Sequence, residues 1–241
     1  MNDNNIKDIL SLIKEQIDIF TEAEKEIRNI LKIKDKNKIC DVRITIFSKI
    51  RAIYTNYYII IFYTDPLTDL SHPFWSDKTQ CPYNFDPKKQ NENLDNFLKI
   101  SLTLTIFSCI EHLITELYIY NKKENKPSIT EKGKIKLRRK SVTEKLNQSK
   151  ELFGIEKCLL TNYKSFGTFQ LIRNAAHNNF ISDENFNYES NEIEIKFEKD
   201  NFIQGLNIKS LFTLQQENIS FLKDIIKRYG NFDQYIEDPI C

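Results

Sequence analysis

Residues 94 to 120, LDNFLKISLTLTIFSCIEHLITELYIY, run for 27 positions without a glycine or proline and are apolar almost all the way round a helical projection. Only Ser101, Thr105, Ser108, His112 and Glu116 form a polar stripe, and it is narrow. A helix with so little polar surface has to sit at the centre of a fold, with other elements packed on most of its sides. Those elements should be helices too. Five glycines and six prolines in 241 residues are too few for the many tight turns of an all-β sandwich or barrel. With 40% hydrophobic and 12% aromatic residues the chain has ample material for a packed core, and its length allows one large domain.

The remaining segments fit this frame. From Ile6 to about Ile33, Ile9, Leu10, Ile13, Ile17, Phe20, Ile27, Ile30 and Leu31 recur at helical spacing, and the charged KDKNK at 34–38 ends the run. Residues 41–63 are rich in β-branched and aromatic side chains, yet their length without Gly or Pro predicts a helix. Residues 65–89 carry four of the six prolines and the only tryptophan, Trp75, and read as a long irregular connection packed through Phe74, Trp75, Tyr83 and Phe85. A polar basic linker over 121–141 leads to a short helix near 142–153, ended by Gly154, and a further helix is expected over 158–178. Alternation at Ile193, Ile195 and Phe197 predicts a strand, with Phe202 and Ile203 as its hairpin partner across KDN. An amphipathic helix near 209–229 completes the pattern. The expected fold class is mainly α, a helical bundle with a small β-hairpin near the C-terminus. We expect a single domain over 1–241, in which 1–90 form an N-terminal helical extension and long loop and 91–230 form the core.

Net charge is +1, with a pI near 7.6, so any attraction to nucleic acid must be local. KGKIKLRRKS at 132–141 places Lys132, Lys134, Lys136, Arg138, Arg139 and Lys140 within nine positions. Such a run either binds RNA backbone or is a solvated loop. Cys40, Cys81, Cys109, Cys158 and Cys241 are odd in number and widely spaced, without a zinc-ligand pattern, which predicts reduced thiols in a cytoplasmic setting. MNDNNIKDIL lacks the features of a secretory signal, and the apolar run YYIIIFY, 57–63, is too short to span a bilayer, so no membrane partner is expected. Walker, dinucleotide-binding, nucleophile-elbow and zincin motifs do not occur in the chain. His72 precedes a proline in the long loop and reads as structural, and His112, on the polar stripe, reads as surface.

LIRNAAHNNF, 171–180, is the stretch that bears on chemistry. Helical geometry puts Arg173 and His177 about 40° apart around the axis and about 6 Å apart along it. Projected backwards, that sector holds Leu159, Phe166 and Phe169, with Tyr163 beside it, while Lys164, Thr168 and Leu171 lie opposite. Cationic groups therefore continue an apolar stripe. One explanation is structural: Arg173 pairs with a core carboxylate, His177 favours the negative end of the helix dipole, and Asn178 or Asn179 caps the helix. The other is RNA cleavage without a metal, which requires proton transfer at the 2′-hydroxyl and at the leaving 5′-oxygen, with positive charge beside the phosphorane. His177 can move protons near neutrality, and the Arg173 guanidinium can fork onto phosphate oxygens, with Asn174 close enough to touch the same ligand. A second proton-transfer group would come from a two-fold dimer.

RNAAH, preceded by an aromatic-rich helix and followed by NN, a hairpin and a final amphipathic helix, resembles the HEPN (higher eukaryotes and prokaryotes nucleotide-binding) superfamily, whose signature is an Arg followed a few residues later by a His. FSCIEHLITELY, 107–118, resembles the earlier bundle helix of that family, which often carries an acidic residue facing the site. Three residues separate Arg173 from His177, fewer than in the common pattern, yet both stay on one helical face. The resemblance covers mainly 94–229. It implies an α-helical homodimer with metal-independent endoribonuclease activity and no cofactor, in toxin or antiphage-defence settings, with a protein antitoxin as a candidate partner. Carried onto this chain, it makes Arg173 the phosphate holder, His177 the acid or base, Asn174 a ligand-orienting group and Glu111 the partner of Arg173. Lys136, Arg138, Arg139 and Lys140 would contact RNA. The competing expectation is a noncatalytic module that binds RNA, nucleotide or a protein through the same cleft.

Overall fold

The structure is a computed structural model that describes residues 3–68, 87–125, 130–147, 164–190, 192–228 and 232–241. In chain order the helices are α1 (Asp3–Ile30), α2 (Asp35–Lys38), α3 (Val42–Thr68), α4 (Pro87–Asn125), α5 (Glu131–Arg138), α6 (Val142–Asn147), α7 (Lys164–Ala176) and α8 (Ile208–Arg228), with strands β1 (Phe186–Glu189) and β2 (Glu194–Phe197) before α8. The mainly α class with a small antiparallel hairpin is what the sequence predicts.

α4 takes the central place its composition requires. It packs against α3, α5, α6, α7 and α8, while α1 joins α3 to α8 and closes the bundle. Leu102, Ile106, Ile110, Leu113 and Leu117 of α4 are buried, and one apolar cluster extends from Ile9 in α1 to Ile236. α1 and α3 thus contribute to the same core as the later helices. Within the described residues, α4 is the one helix long and apolar enough, over Asn96–Lys122, to cross a membrane, a property that the reading of 57–63 did not reveal. The stripe on α4 is divided. Thr105 and Ser108 are exposed and donate back to the carbonyls of Ser101 and Leu104 at 2.6 and 2.8 Å, whereas His112 and Glu116 are taken up by other segments.

Helix starts are set by side chains. The Asp41 carboxylate accepts the Arg43 amide at 2.9 Å at the start of α3. Ser141 and Glu144 form a reciprocal box at α6, with Ser141 N donating to Glu144 Oε2 at 2.7 Å and Glu144 N to Ser141 Oγ at 3.1 Å. The supposed linker is helical over α5, because the Thr130 hydroxyl accepts from Gly133 N at 3.3 Å and offers a cap. The expected connection over 65–89 has helix at both of its ends. His72, Phe74, Trp75, Tyr83 and Phe85 lie outside the described residues, as do Gly154, Leu159 and Tyr163.

The strand at 193–197 is present, but its partner is upstream. β1 pairs with β2 in the register Phe186↔Phe197 to Glu189↔Glu194, and Tyr188 is buried. The expected return at 202–203 pairs instead with 180–181, Phe202 bridging Ile181 and Ile203 N donating to Phe180 O at 2.9 Å, and only the next residue, Gln204, exchanges backbone bonds of 3.1 and 3.0 Å with Lys196. Gly205, at φ +76°, lies so close that a Cβ there would meet Glu194 O at 2.1 Å, which requires glycine in both conformation and space.

A larger correction concerns the cysteines. Cys40 and Cys241 are joined by a disulfide with a Cα–Cα distance of 5.4 Å. Their separation of 201 residues gives no local signal of pairing, and the fold brings them together by laying residues 232–241 across the start of α3. Cys109 remains a free thiol, and burial pushes its pKa up.

Candidate functional site

α7 buries a broad face, Ser165, Phe166, Thr168, Phe169, Ile172, Ala175 and Ala176. Phe166 and Phe169 lie inward as projected. Thr168, assigned to the opposite side, is buried as well, because α7 is wedged between α4 and α8. Phe107 of α4 stacks with Phe166 at 6.1 Å and tilts against Phe169 at 5.9 Å, while Phe166 stacks on Phe221 of α8 at 4.1 Å. Arg173 stands at the edge of this aromatic layer. Its guanidinium carbon lies 5.3 Å from the Phe107 ring centroid, a cation–π contact, and its Nη1 donates to Asn174 Oδ1 at 3.2 Å.

Glu111 does not meet Arg173. No hydrogen bond or ion pair joins it to the half-buried Arg173, although both are described. Instead its charge acts on Lys145, whose pKa is lowered by burial and raised in part by Glu111, Glu116 and Glu144. Lys145 is 1% exposed and donates to Thr115 Oγ1 at 2.7 Å and to the Arg138 carbonyl at 3.1 Å. The sequence reading offered Glu111 to Arg173. Phe107, one turn earlier on α4, is the group Arg173 meets, and its signal was membership of the same helical face.

His177 lies one residue beyond α7 and is exposed. The chain there turns sharply: Asn178 N and Phe180 N both donate to Ala175 O, at 2.8 and 2.9 Å. Asn179 and Phe180 have φ of 51° and 63°, so the left-handed end expected from an asparagine extends to Phe180. A left-handed backbone is costly for a bulky residue. Burial of the Phe180 ring, at 6% exposure, and the 2.9 Å bond from Ile203 N to Phe180 O hold the turn. His177 is thereby presented to solvent from a fixed backbone.

The basic residues divide into two kinds. Arg138 donates to Glu116 Oε1 at 3.1 Å, and Lys140 Nζ donates to Tyr118 OH at 3.4 Å and lies 5.8 Å from the Tyr118 ring centroid. Lys136 and Arg139 are exposed, with no such partner within the described residues. α6, which directly follows them, is tied to α7 by Gln170 Nε2 donating to Thr143 Oγ1 at 2.8 Å, one turn before Arg173. A cleft of about 420 Å³ opens beside α5, lined by Glu116, Tyr120, Lys134, Arg138, Tyr235 and Glu237. Within the described residues, no group of three or more His, Cys, Asp and Glu side chains is arranged for a metal ion.

His112 is not the surface residue that its stripe predicted. Its Nε2–H donates to Asp238 Oδ1 at 3.0 Å. Asp238, with no exposed side-chain surface, also accepts from Lys49 Nζ at 2.6 Å, from Ile240 N at 3.1 Å and from Thr45 Oγ1 in a short bond. Burial pushes the Asp238 carboxyl up, but these donors outweigh it and bring it down to about 2. His112 and Asp238 thus serve to hold the segment 232–241.

Comparison with known proteins finds no matching family model, no matching curated protein and no matching solved structure.

Proposed function

We propose that the protein is a HEPN-like, metal-independent endoribonuclease of the kind used in toxin or antiphage-defence systems. The observation that carries the reading is the open state of Arg173, a half-buried cation without a carboxylate partner among the described residues, stacked on Phe107 and held by Asn174. A cation in that position keeps its charge available for a phosphate, and the stack limits the orientations of the guanidinium plane. His177, exposed one turn away on a backbone fixed by Phe180, is the proton-transfer group. Asn174 holds Arg173 and can orient the same ligand.

Lys136 and Arg139 supply exposed charge for the RNA backbone, while Arg138 and Lys140 shape the adjoining surface through Glu116 and Tyr118. Each chain offers one such histidine, so the chemistry calls for a homodimer in which a second His177 takes the other proton-transfer role. A protein antitoxin would act by covering this face.

The test is incubation of purified protein with total RNA in EDTA, with His177→Ala in parallel. Cleavage is expected in the wild type, with a loss of roughly a hundredfold or more in the variant, the usual scale for a general acid–base group. Equal RNA binding and no cleavage in both proteins would instead establish a noncatalytic binding module.

A further inference from the structure

The segment 232–241 is fixed at two depths. Inside, Ile236 N donates to Asp41 Oδ2 at 3.0 Å, Val42 N donates to Ile236 O at 2.9 Å, and Asp238 occupies its nest of Thr45, Lys49 and His112. Outside, the bonds converge on Cys40. Its carbonyl accepts from Asp238 N at 2.9 Å and from Tyr235 OH at 3.0 Å, and its sulfur is bonded to Cys241. Cys241 is exposed and Cys40 half-buried, so a reductant can reach the bond. Solvent-reachable disulfides are the ones that exchange readily. The same segment forms one wall of the 420 Å³ cleft, through Tyr235, Ile236, Glu237 and Pro239.

We propose that the Cys40–Cys241 bond is a reversible clasp, opened by a dithiol reductant, that controls whether residues 232–241 stay docked and hence whether the cleft beside α5 keeps its wall. A thiolate of the reductant attacks the exposed Cys241 sulfur. The S–S bond breaks, and Cys40 departs as a thiolate and takes up a proton. The second thiol of the reductant then resolves the mixed disulfide, so that the reductant ends as a disulfide and Cys40 and Cys241 each gain one electron and one proton. The bond ties the last residue of the segment to Cys40, just before α3, so after its loss the inner contacts alone restrain residues 232–241.

The experiment uses the full chain, with dithiothreitol as the dithiol. Non-reducing peptide mapping of the oxidised protein is expected to recover a Cys40–Cys241 linked peptide. Hydrogen exchange at the Val42, Ile236 and Asp238 amides is expected to accelerate by roughly tenfold to a hundredfold on reduction. In Cys241→Ser exchange should be fast from the outset and unchanged by dithiothreitol, which separates the clasp from any effect of the other thiols. Absence of the linked peptide, or equal exchange in oxidised and reduced protein, overturns the proposal.

Discussion

Two polar regions of the molecule are built in opposite ways. Around the start of α3, every charge taken from water is met by protein: Asp41 and Arg43, both with no exposed side-chain surface, pair at 2.7 Å, Arg43 Nη2 donates to the Gln234 carbonyl at 2.6 Å, and Asp238 accepts from side chains of α3 and α4. At the end of α7, half-buried Arg173 has, among the described residues, a neighbouring amide and an aromatic face for company, and His177 stands in solvent. Satisfied charge fixes geometry, whereas charge left open on a rigid support is available to a ligand. The contrast marks the first region as architecture and the second as the place where the proposed ribonuclease chemistry would act.

The strongest way to break the contrast is Asp41→Ala. Removing one member of a fully buried pair leaves Arg43 uncompensated and should cost about 3–5 kcal/mol, measured by urea unfolding; a loss near that of a surface substitution would show that the pair is not the anchor described. Acid provides a milder probe. The Asp238 carboxyl has a folded value of about 2, below its unfolded one. Its contribution is therefore complete above about pH 5 and is lost progressively as pH falls through about 2. It should amount to about 1–2 kcal/mol, since water reaches Lys49 and His112 at the rim and screens them. Asp238→Asn is expected to flatten the stability profile in that window. The smallest stability effect belongs to Arg173→Ala, at about 0.5–1 kcal/mol for the lost cation–π contact, readable as a small shift in thermal midpoint alongside a large loss of RNA cleavage. If Arg173→Ala instead unfolds the protein, the structural explanation of Arg173 gains over the nuclease.

How much of this was legible depends on range. α1 and α8 announce themselves through local periodicity and α3 and α4 through long apolar runs free of Gly and Pro, and the shared sector of Phe166, Phe169 and Arg173 survives in the structure because it needs only the pitch of one helix. Contacts between distant segments left no such trace. Ile236 meets Asp41 across 195 positions, so neither the disulfide nor the role of His112 could be read from spacing. Glu111 was matched to Arg173 through the resemblance, which places an acidic residue on this helix facing the site, yet it is the ring of Phe107, one turn earlier on α4, that Arg173 meets. The hairpin was misread because FNYE follows a polar SDEN turn and its buried residue, Tyr188, owes its place to a short hydrogen bond donated to Glu217 on α8, a partner that no local alternation reveals.

The most direct test of the open-charge claim is an NMR titration of the His177 ring with an RNA oligonucleotide whose 2′-hydroxyls are methylated to block cleavage, at low salt. The account expects the His177 resonances to shift on binding, and Arg173→Ala to abolish that shift while the fold persists. Saturating RNA that leaves His177 unperturbed, or perturbs it equally in Arg173→Ala, would contradict it.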